Sequence, residues 1–385
     1  MREYTRETRR RPRRAPSGHS EGEDVLLIPT SGNVVRDLCS RALDGAVLSE
    51  PELAQLLRAG GDDAREVFAA AREMRARSSG DAVFLYGFVY FSTYCRNECA
   101  FCFYRAGNQE SPRYRKAPDE VVAICRDLAA SGVVLLDLTM GEDPRVLADG
   151  CAGLLELVAA VHEGAGLPIM VSPGVVPDEV LAGLRERGAD WYALYQETHT
   201  RKLYERLRVG QPFAARVAAR RAARRAGLLV EDGLLTGIGD SVVDRAHSIA
   251  AMRVEGWEQI RVMTFVPQAG TPLEDVAPQG DEAELLTIAA MRLAMPQALI
   301  PASLDVDGIK GLERRLQAGA NVVTSIVPPT VGLAGVSQAE LDIDEGHRTV
   351  AGVLPHLERL GLRAATAAEY ARWLDRAREG APVTT

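Results

Sequence analysis

From Phe84 to about residue 326 the chain alternates short apolar runs with amphipathic stretches, and that repeat restricts the fold more than any other feature. The apolar runs fall near 84–91, 133–139, 168–172, 190–195, 229–237, 259–265, 298–304 and 321–326. Segments of helical periodicity lie between them, near 118–131, 151–164, 177–188, 213–227, 241–255, 281–293 and 308–318. Apolar strands joined by helices read as a parallel sheet with both faces covered. Eight strands with seven intervening helices, and more helix after residue 343, count out as an α/β fold, a closed (β/α)8 TIM-type barrel. At 385 residues the chain exceeds a typical domain of roughly 100–200, a length that α/β barrels reach as one unit.

Residues 33–79 carry helical spacing of their own: Val34, Val35 and Leu38, then Leu53, Leu56 and Leu57, then Val67, Phe68, Ala71 and Met74. Ser49-Glu50-Pro51 and Gly60-Gly61 punctuate them, which predicts two or three helices packed beneath the barrel. The expected organisation is a disordered arginine-rich tail over 1–30, an N-terminal helical extension over 31–80 and the barrel over 81–380.

The net charge is −8, although the first fourteen residues carry seven arginines against two glutamates. The remainder is therefore acidic, and no nucleic-acid partner is expected. The opening has no apolar stretch for a secretory signal, and its five acids argue against an organellar transit peptide; a solvated charge run is the plain reading. No run of eighteen apolar residues predicts a membrane span. Six cysteines, three of them in one loop and the others scattered as Cys39, Cys125 and Cys151, are not an extracellular disulfide framework, so a reducing cytoplasm is expected.

In such a barrel the chemistry sits at the C-terminal ends of the strands. The cysteine loop follows the first strand, Asp137 and Thr-Met-Gly-Glu-Asp (139–143) close the second, and Ser172-Pro173-Gly174 closes the third. Tyr195-Gln196-Glu197 ends the fourth, Glu231 and Asp232 lie in the fifth, Arg261 in the sixth, and Ser303 with Asp305 ends the seventh. A Schiff-base mechanism would need Lys116, Lys202 or Lys310, and none lies at the end of a predicted strand.

The loop reads TYCRNECAFCFY and brings Cys95, Cys99 and Cys102 together. Three cysteinates leave one iron of a 4Fe-4S cube without a protein ligand, open to the amine and carboxylate of a small molecule. The C-x-x-x-C-x-aromatic-C spacing, with Phe101 in the aromatic position, resembles the signature of the radical S-adenosylmethionine (SAM) enzymes. A zinc knuckle would need a fourth close ligand, and the following forty residues offer only Cys125, in a helical pattern. A fortuitous cluster is the remaining alternative.

SAM would need holding by its amino group, carboxylate, ribose and adenine. The turn at Gly141-Glu142-Asp143-Pro144 offers backbone and carboxylates for the ammonium, and Glu197 and Arg216 suit ribose or amino group and carboxylate. Arg216 lies among other arginines, so a solvated helix residue is its alternative. Arg261 interrupts an otherwise apolar strand, where a buried guanidinium needs an anion. Asp137 and Asp305 are the acids on comparable strands. Either they pair with Arg261, or the three together receive a zwitterionic amino acid, its carboxylate on the arginine and its amines on the aspartates.

The stretches FVYFSTYCRNECAFCFY, LDLTMGEDP, PIMVSPGVV, ALYQET, LYERLRVGQ, VEDGLLTGIG, RVMTFVPQAGTPLE, LIPASLDVDGIKG and RLQAGANVVTSIVPP resemble the 3-methylornithine synthases of pyrrolysine biosynthesis, a biotin-synthase-like radical SAM family. The similarity runs from about residue 34 to 375. It implies isomerisation of L-lysine to (3R)-3-methyl-D-ornithine with a 4Fe-4S cluster and SAM. In that family a deoxyadenosyl radical takes a hydrogen from lysine, the skeleton fragments into a glycyl radical and an aminobutene, and recombination at the other alkene carbon gives the branch. Carried over by residue, Cys95, Cys99 and Cys102 match the cluster ligands. Tyr195, Glu197 and Arg216 match positions around SAM, to which the strand-end reading adds Glu142 and Ser172. Asp137, Arg261, Ser303 and Asp305 match the amino-acid pocket. A one-electron reductant such as flavodoxin or ferredoxin is the implied partner.

Two departures stand out: the loop RAGNQESPRYR and the N-terminal tail, neither expected to touch the pocket residues. A different biotin-synthase-like enzyme, for example a lyase acting on another amino acid, is the alternative within the same chemistry. Sulfur insertion is disfavoured, because Cys39, Cys125 and Cys151 fall in helical stretches without spacing for a second cluster. An electron-transfer protein would have no use for the polar mouth.

Overall fold

A computed structural model of the chain describes residues 32–328 and 347–380. The arginine-rich tail expected over 1–30 lies outside the described residues. Three helices come first: α1 (Gly32–Leu43), α2 (Glu50–Leu56) and α3 (Gly61–Ser79). A reciprocal cap between Ser49 and Glu52 starts α2.

The barrel then alternates β1 (Ala82–Ser92), α4 (Pro118–Ser131), β2 (Leu135–Met140), α5 (Ala152–Ala165), β3 (Ile169–Ser172), α6 (Asp178–Glu186) and β4 (Ala189–Ala193). It continues through α7 (Arg201–Leu207), α8 (Phe213–Arg225), β5 (Leu229–Thr236), α9 (Val242–Glu255), β6 (Gln259–Thr264), α10 (Glu282–Ala294), β7 (Pro301–Ser303), α11 (Leu312–Gln317) and β8 (Val322–Ile326). After the second undescribed stretch come α12 (Val350–Arg359), the two-residue strand β9 (Arg363–Ala364) and α13 (Ala367–Gly380). The extension packs on the barrel's outer helices, α3 on α10 and α2 on α9.

Neighbouring strands run in the order β6-β5-β4-β3-β2-β1-β8-β7, every pair parallel. The expected barrel is present, and its seam is thin. The strand expected over 298–304 is regular only at Pro301–Ser303, because Pro301 has no N–H to give the ladder. A single parallel bridge, Gln259 to Leu299, spans the seam, with Ile260 N donating to Leu299 O (3.0 Å) and Leu299 N to Glu258 O (2.9 Å). Arg292 braces it from α10 by donating to the carbonyls of Gly319 (3.0 Å), Pro296 (2.8 Å) and Ala298 (2.9 Å) and to Asn321 Oδ1 (2.8 Å). Burial pulls this guanidinium down to about 9, and the carbonyl cage stands in for an acid.

Helix α7 and strand β9 were not anticipated. The first is seven residues long and mostly charged, and the second is too short to leave a pattern. No described helix is long and apolar enough to cross a membrane.

The barrel interior is apolar at the strand starts and polar at their ends. Helix α13 plugs the apolar end: Tyr370, Trp373 and Leu374 pack against Phe84, Tyr86 and Trp191. Trp373 stacks on Trp191 at 5.6 Å with the planes 7° apart, and Tyr86 donates its hydroxyl to Tyr370 (3.1 Å). Chemistry is thereby confined to the opposite mouth. Truncating the buried Tyr370 to alanine should lower stability by about 3 kcal/mol, seen as an earlier denaturant midpoint at unchanged slope.

Candidate active site

The cysteine loop leaves β1 and is held largely through its backbone. Gly141 N donates to Ser92 O (2.9 Å), Arg96 N to Glu142 O (3.0 Å), Ala100 N to Leu207 O (2.7 Å) and Ala106 N to Asn97 O (2.8 Å). Gly141 is there because nothing larger fits: a Cβ would stand 2.3 Å from Tyr94 O and 2.9 Å from Cys95 Cβ. The loop over 105–115, not expected to touch the pocket residues, clamps the cysteine loop. Arg113 donates to the carbonyls of Thr93 (2.6 Å), Tyr104 (2.9 Å) and Arg105 (2.6 Å). Asn108 donates to Ala269 O (2.9 Å), tying this loop to the segment after β6. Asp143, expected among the carboxylates offered to an ammonium, is instead fully buried and taken by Arg115 (2.6 and 2.9 Å) and Ser92 (2.5 Å).

Cys99 is buried, while Cys95 and Cys102 are half-buried. Cys99 Sγ accepts from Gln211 Nε2 (3.0 Å) and faces Arg208 Nη1 at 3.6 Å. Burial pushes the Cys95 and Cys102 thiols up, so their thiolates need a positive partner. Among the described residues no three His, Cys, Asp or Glu converge on one metal ion. A cube gives each cysteinate its own iron, so three separate sulfurs on one loop fit that group. Cys39, Cys125 and Cys151 are buried elsewhere.

Opposite the loop, the turn after β4 carries Tyr195, Gln196 and Glu197, with Glu197 in the left-handed region at φ 68°. Arg208 fixes it by donating to Glu197 Oε1 (2.7 Å) and Tyr195 O (2.9 Å). Arg216 donates to the same carbonyl (3.0 Å) and stands 3.8 Å from Glu142 Oε1. It is 4 % exposed, which overturns the solvated-helix alternative. Burial, reinforced by Arg208, pulls Arg216 down to about 10, still a cation at neutral pH. Glu142 also receives Arg96 Nε (3.0 Å) and is itself buried. Beneath the turn, Asp232 accepts from Gln196 N (2.8 Å) and Gly233 N (2.7 Å) and pairs with Arg220 and His199, each at 3.2 Å. Burial opposes its charge, yet Arg220 and His199 hold the carboxyl down to about 2.

A cavity opens between these elements. Phe88, Phe101, Leu235, Met263 and Phe265 supply its apolar wall, and Cys102, Asp137, Tyr195, Glu197, Arg261 and Asp305 its polar one. Glu142, Ser172, Arg216 and Ser303 lie outside that wall. Ser303 sits behind it and donates to Asp305 Oδ2 (3.3 Å), while Ser172 is half-buried at the end of β3.

Of the two alternatives for Arg261, the pairing with Asp137 or Asp305 is not made among the described residues. Arg261 Nε donates to Glu231 Oε1 (2.8 Å), and Tyr195 donates its hydroxyl to Glu231 Oε2 (3.0 Å). Arg261 Nη2 is buried with no hydrogen-bond partner among the described residues. Asp305 accepts from Arg348 Nη2 (2.8 Å) and Ser325 Oγ (2.6 Å). Asp137 accepts from Thr139 Oγ1 (2.9 Å), and burial pushes its carboxyl up to about 7 against the pull of Arg261. Arg208, Glu231 and Arg348 were thus missed as partners. Arg208 closes the unrecognised α7, and Arg348 follows the undescribed segment 329–346, so neither had a local pattern to mark it. Glu231 was visible as an acid in an apolar strand.

The Radical SAM superfamily profile matches residues 89–251. The chain is 44% identical to a 3-methylornithine synthase of Methanosarcina barkeri, over 86% of this chain and 95% of that one. A crystal structure of methylornithine synthase superposes with a TM-score of 0.83 at 43% identity, covering 87% of this chain and 99% of the other. A hydrogenase maturase subunit of Thermotoga maritima is similar at 28% identity over 67% of this chain. A Gly141→Ala substitution should displace the cysteine loop and at least halve the iron retained after anaerobic reconstitution. Gly153→Ala, where a Cβ meets open space, should leave the iron content unchanged.

Proposed function

The chain belongs to the 3-methylornithine synthase family of radical SAM enzymes, and on that premise we propose that it isomerises L-lysine to (3R)-3-methyl-D-ornithine, the first step of pyrrolysine biosynthesis. The observation that carries this reading is the unpartnered Nη2 of Arg261 in a cavity that also holds Cys102 and two aspartates. A buried donor without an acceptor costs about 1–3 kcal/mol, which a ligand carboxylate returns.

Cys95, Cys99 and Cys102 would hold the 4Fe-4S cluster. With SAM, the bound cluster supplies a 5′-deoxyadenosyl radical that takes a hydrogen from the substrate. Tyr195, Glu197 and Arg216 lie on the SAM side of the mouth, with Glu142 and Ser172 at the ends of β2 and β3. Arg261 takes the amino-acid carboxylate, Asp137 and Asp305 take the ammonium groups, and Ser303 keeps Asp305 aimed. Phe88, Phe101, Leu235, Met263 and Phe265 exclude water and keep the fragments together for recombination. A one-electron reductant such as flavodoxin or ferredoxin completes the system, in a reducing compartment.

Anaerobic reconstitution with SAM, reductant and labelled L-lysine, followed by chiral mass-spectrometric analysis, tests the assignment. The expected product is 3-methyl-D-ornithine; the absence of lysine-stimulated 5′-deoxyadenosine would sink it. Arg261→Ala and Asp305→Asn should each lower kcat/KM by at least about a hundredfold with iron content unchanged. With its carboxyl up near 7, Asp137 is protonated at lower pH and loses its attraction for an ammonium. Accordingly kcat/KM should fall about tenfold per unit below pH 7, a limb that Asp137→Asn should flatten at a low level.

A further inference from the structure

Glu231 is fully buried and contributes nothing to the cavity wall, yet both of its oxygens are committed to residues that do. Its Oε1 accepts from Arg261 Nε at 2.8 Å and its Oε2 from the Tyr195 hydroxyl at 3.0 Å. A carboxylate free to choose would take a guanidinium through two parallel N–H bonds, which is the strongest arrangement open to the pair. Here the carboxylate is turned so that Oε2 meets the Tyr195 hydroxyl and not Nη2, and among the described residues the buried Nη2 of Arg261 has no partner. The arginine is therefore only half satisfied by the protein.

The backbone enforces this geometry. Gly233 lies opposite Arg261 in the β5–β6 register. A Cβ there would stand 3.0 Å from Tyr195 Cδ1 and 3.2 Å from Arg261 Cβ, so glycine permits the close approach of the two side chains. The guanidinium carbon lies 5.3 Å from the Tyr195 ring centroid, which restricts its plane further. Glu231 and Gly233 come from one strand and face the same way, two residues apart.

We propose that Glu231 is a positioning residue: it fixes Arg261 through Nε while Tyr195, by engaging its other oxygen, reserves Nη2 for a ligand carboxylate. This rests on the carboxylate role of Arg261 proposed above. The alternative is that Glu231 is a counter-ion alone, indifferent to what Tyr195 does.

Two variants separate these roles. Tyr195→Phe keeps the ring and removes the hydroxyl, which releases the carboxylate to turn Oε2 onto Nη2. Glu231→Gln removes the charge but keeps the shape, since its amide oxygen still accepts from Nε and its amide N–H can turn to the tyrosine oxygen. The measurement is the affinity of the SAM-loaded, cluster-containing enzyme for L-lysine and for L-lysinamide by titration calorimetry. Their ratio cancels any general damage to the cavity. The wild type should prefer lysine by at least about tenfold. Tyr195→Phe should bring the two ligands within about threefold of each other, whereas Glu231→Gln should retain most of the preference. A preference kept by Tyr195→Phe and lost by Glu231→Gln is the counter-ion result and overturns the proposal. So does a preference kept in both. No preference in the wild type would instead remove the carboxylate role of Arg261, and the positioning role with it.

Discussion

The mouth of the barrel depends on the ion pair between Glu231 and Arg261, which is buried between adjacent strands. The register sets it: Gly233 opposes Arg261 and Glu231 opposes Gln259, so the pair is diagonal and stays on the inner face. A slip of one residue in β6 would turn Arg261 out toward the helices and leave Glu231 as an unpaired charge in the barrel. The pair therefore fixes strand register and the position of Arg261 together. Tyr195 joins it from the turn after β4, so one carboxylate links three neighbouring segments of the barrel.

A second layer of buried charge holds the turns around that centre. Asp232 fixes the turn after β4 from below through the Gln196 N–H, and Arg208 fixes it from above through Glu197 and a carbonyl. Arg208 also faces Cys99, so the same guanidinium connects the turn to the cysteine loop. On the far side of that loop Arg113 and Arg115 do the equivalent work. Arginine suits these places because its planar fork can serve several carbonyls at once and stays charged when buried.

The strands and most of the helices were legible because each buries a continuous apolar run or stripe, and burial writes a period into the sequence. The three cysteines and the polar residues at strand ends were legible for a related reason, since polar groups are conspicuous where the pattern calls for apolar ones. Contacts between distant positions were not. That Arg261 would choose Glu231 over Asp137, and Asp305 choose Arg348, depends on register and on side-chain reach, which no local spacing encodes. Arg216 shows the same limit: among neighbouring arginines on α8 its composition matches a solvated face, and only packing reveals it as buried.

The charges around the cavity suggest why the ligand of the proposed reaction would carry two amines and one carboxylate. Arg261 is balanced by Glu231, Arg348 by Asp305 and Arg208 by Glu197. Among the described residues Asp137 is held by the hydroxyl of Thr139 alone, and burial pushes its carboxyl up to about 7 against the pull of Arg261. A neutral zwitterion entering this cavity would leave that acid without a net positive charge to compensate it. A diamino acid brings one net positive charge and lets Asp137 ionise against it, turning the cost of burying the carboxylate into an attraction specific to the second ammonium. On this reading Arg261 selects the class of ligand by its carboxylate, and Asp137 selects within that class by charge.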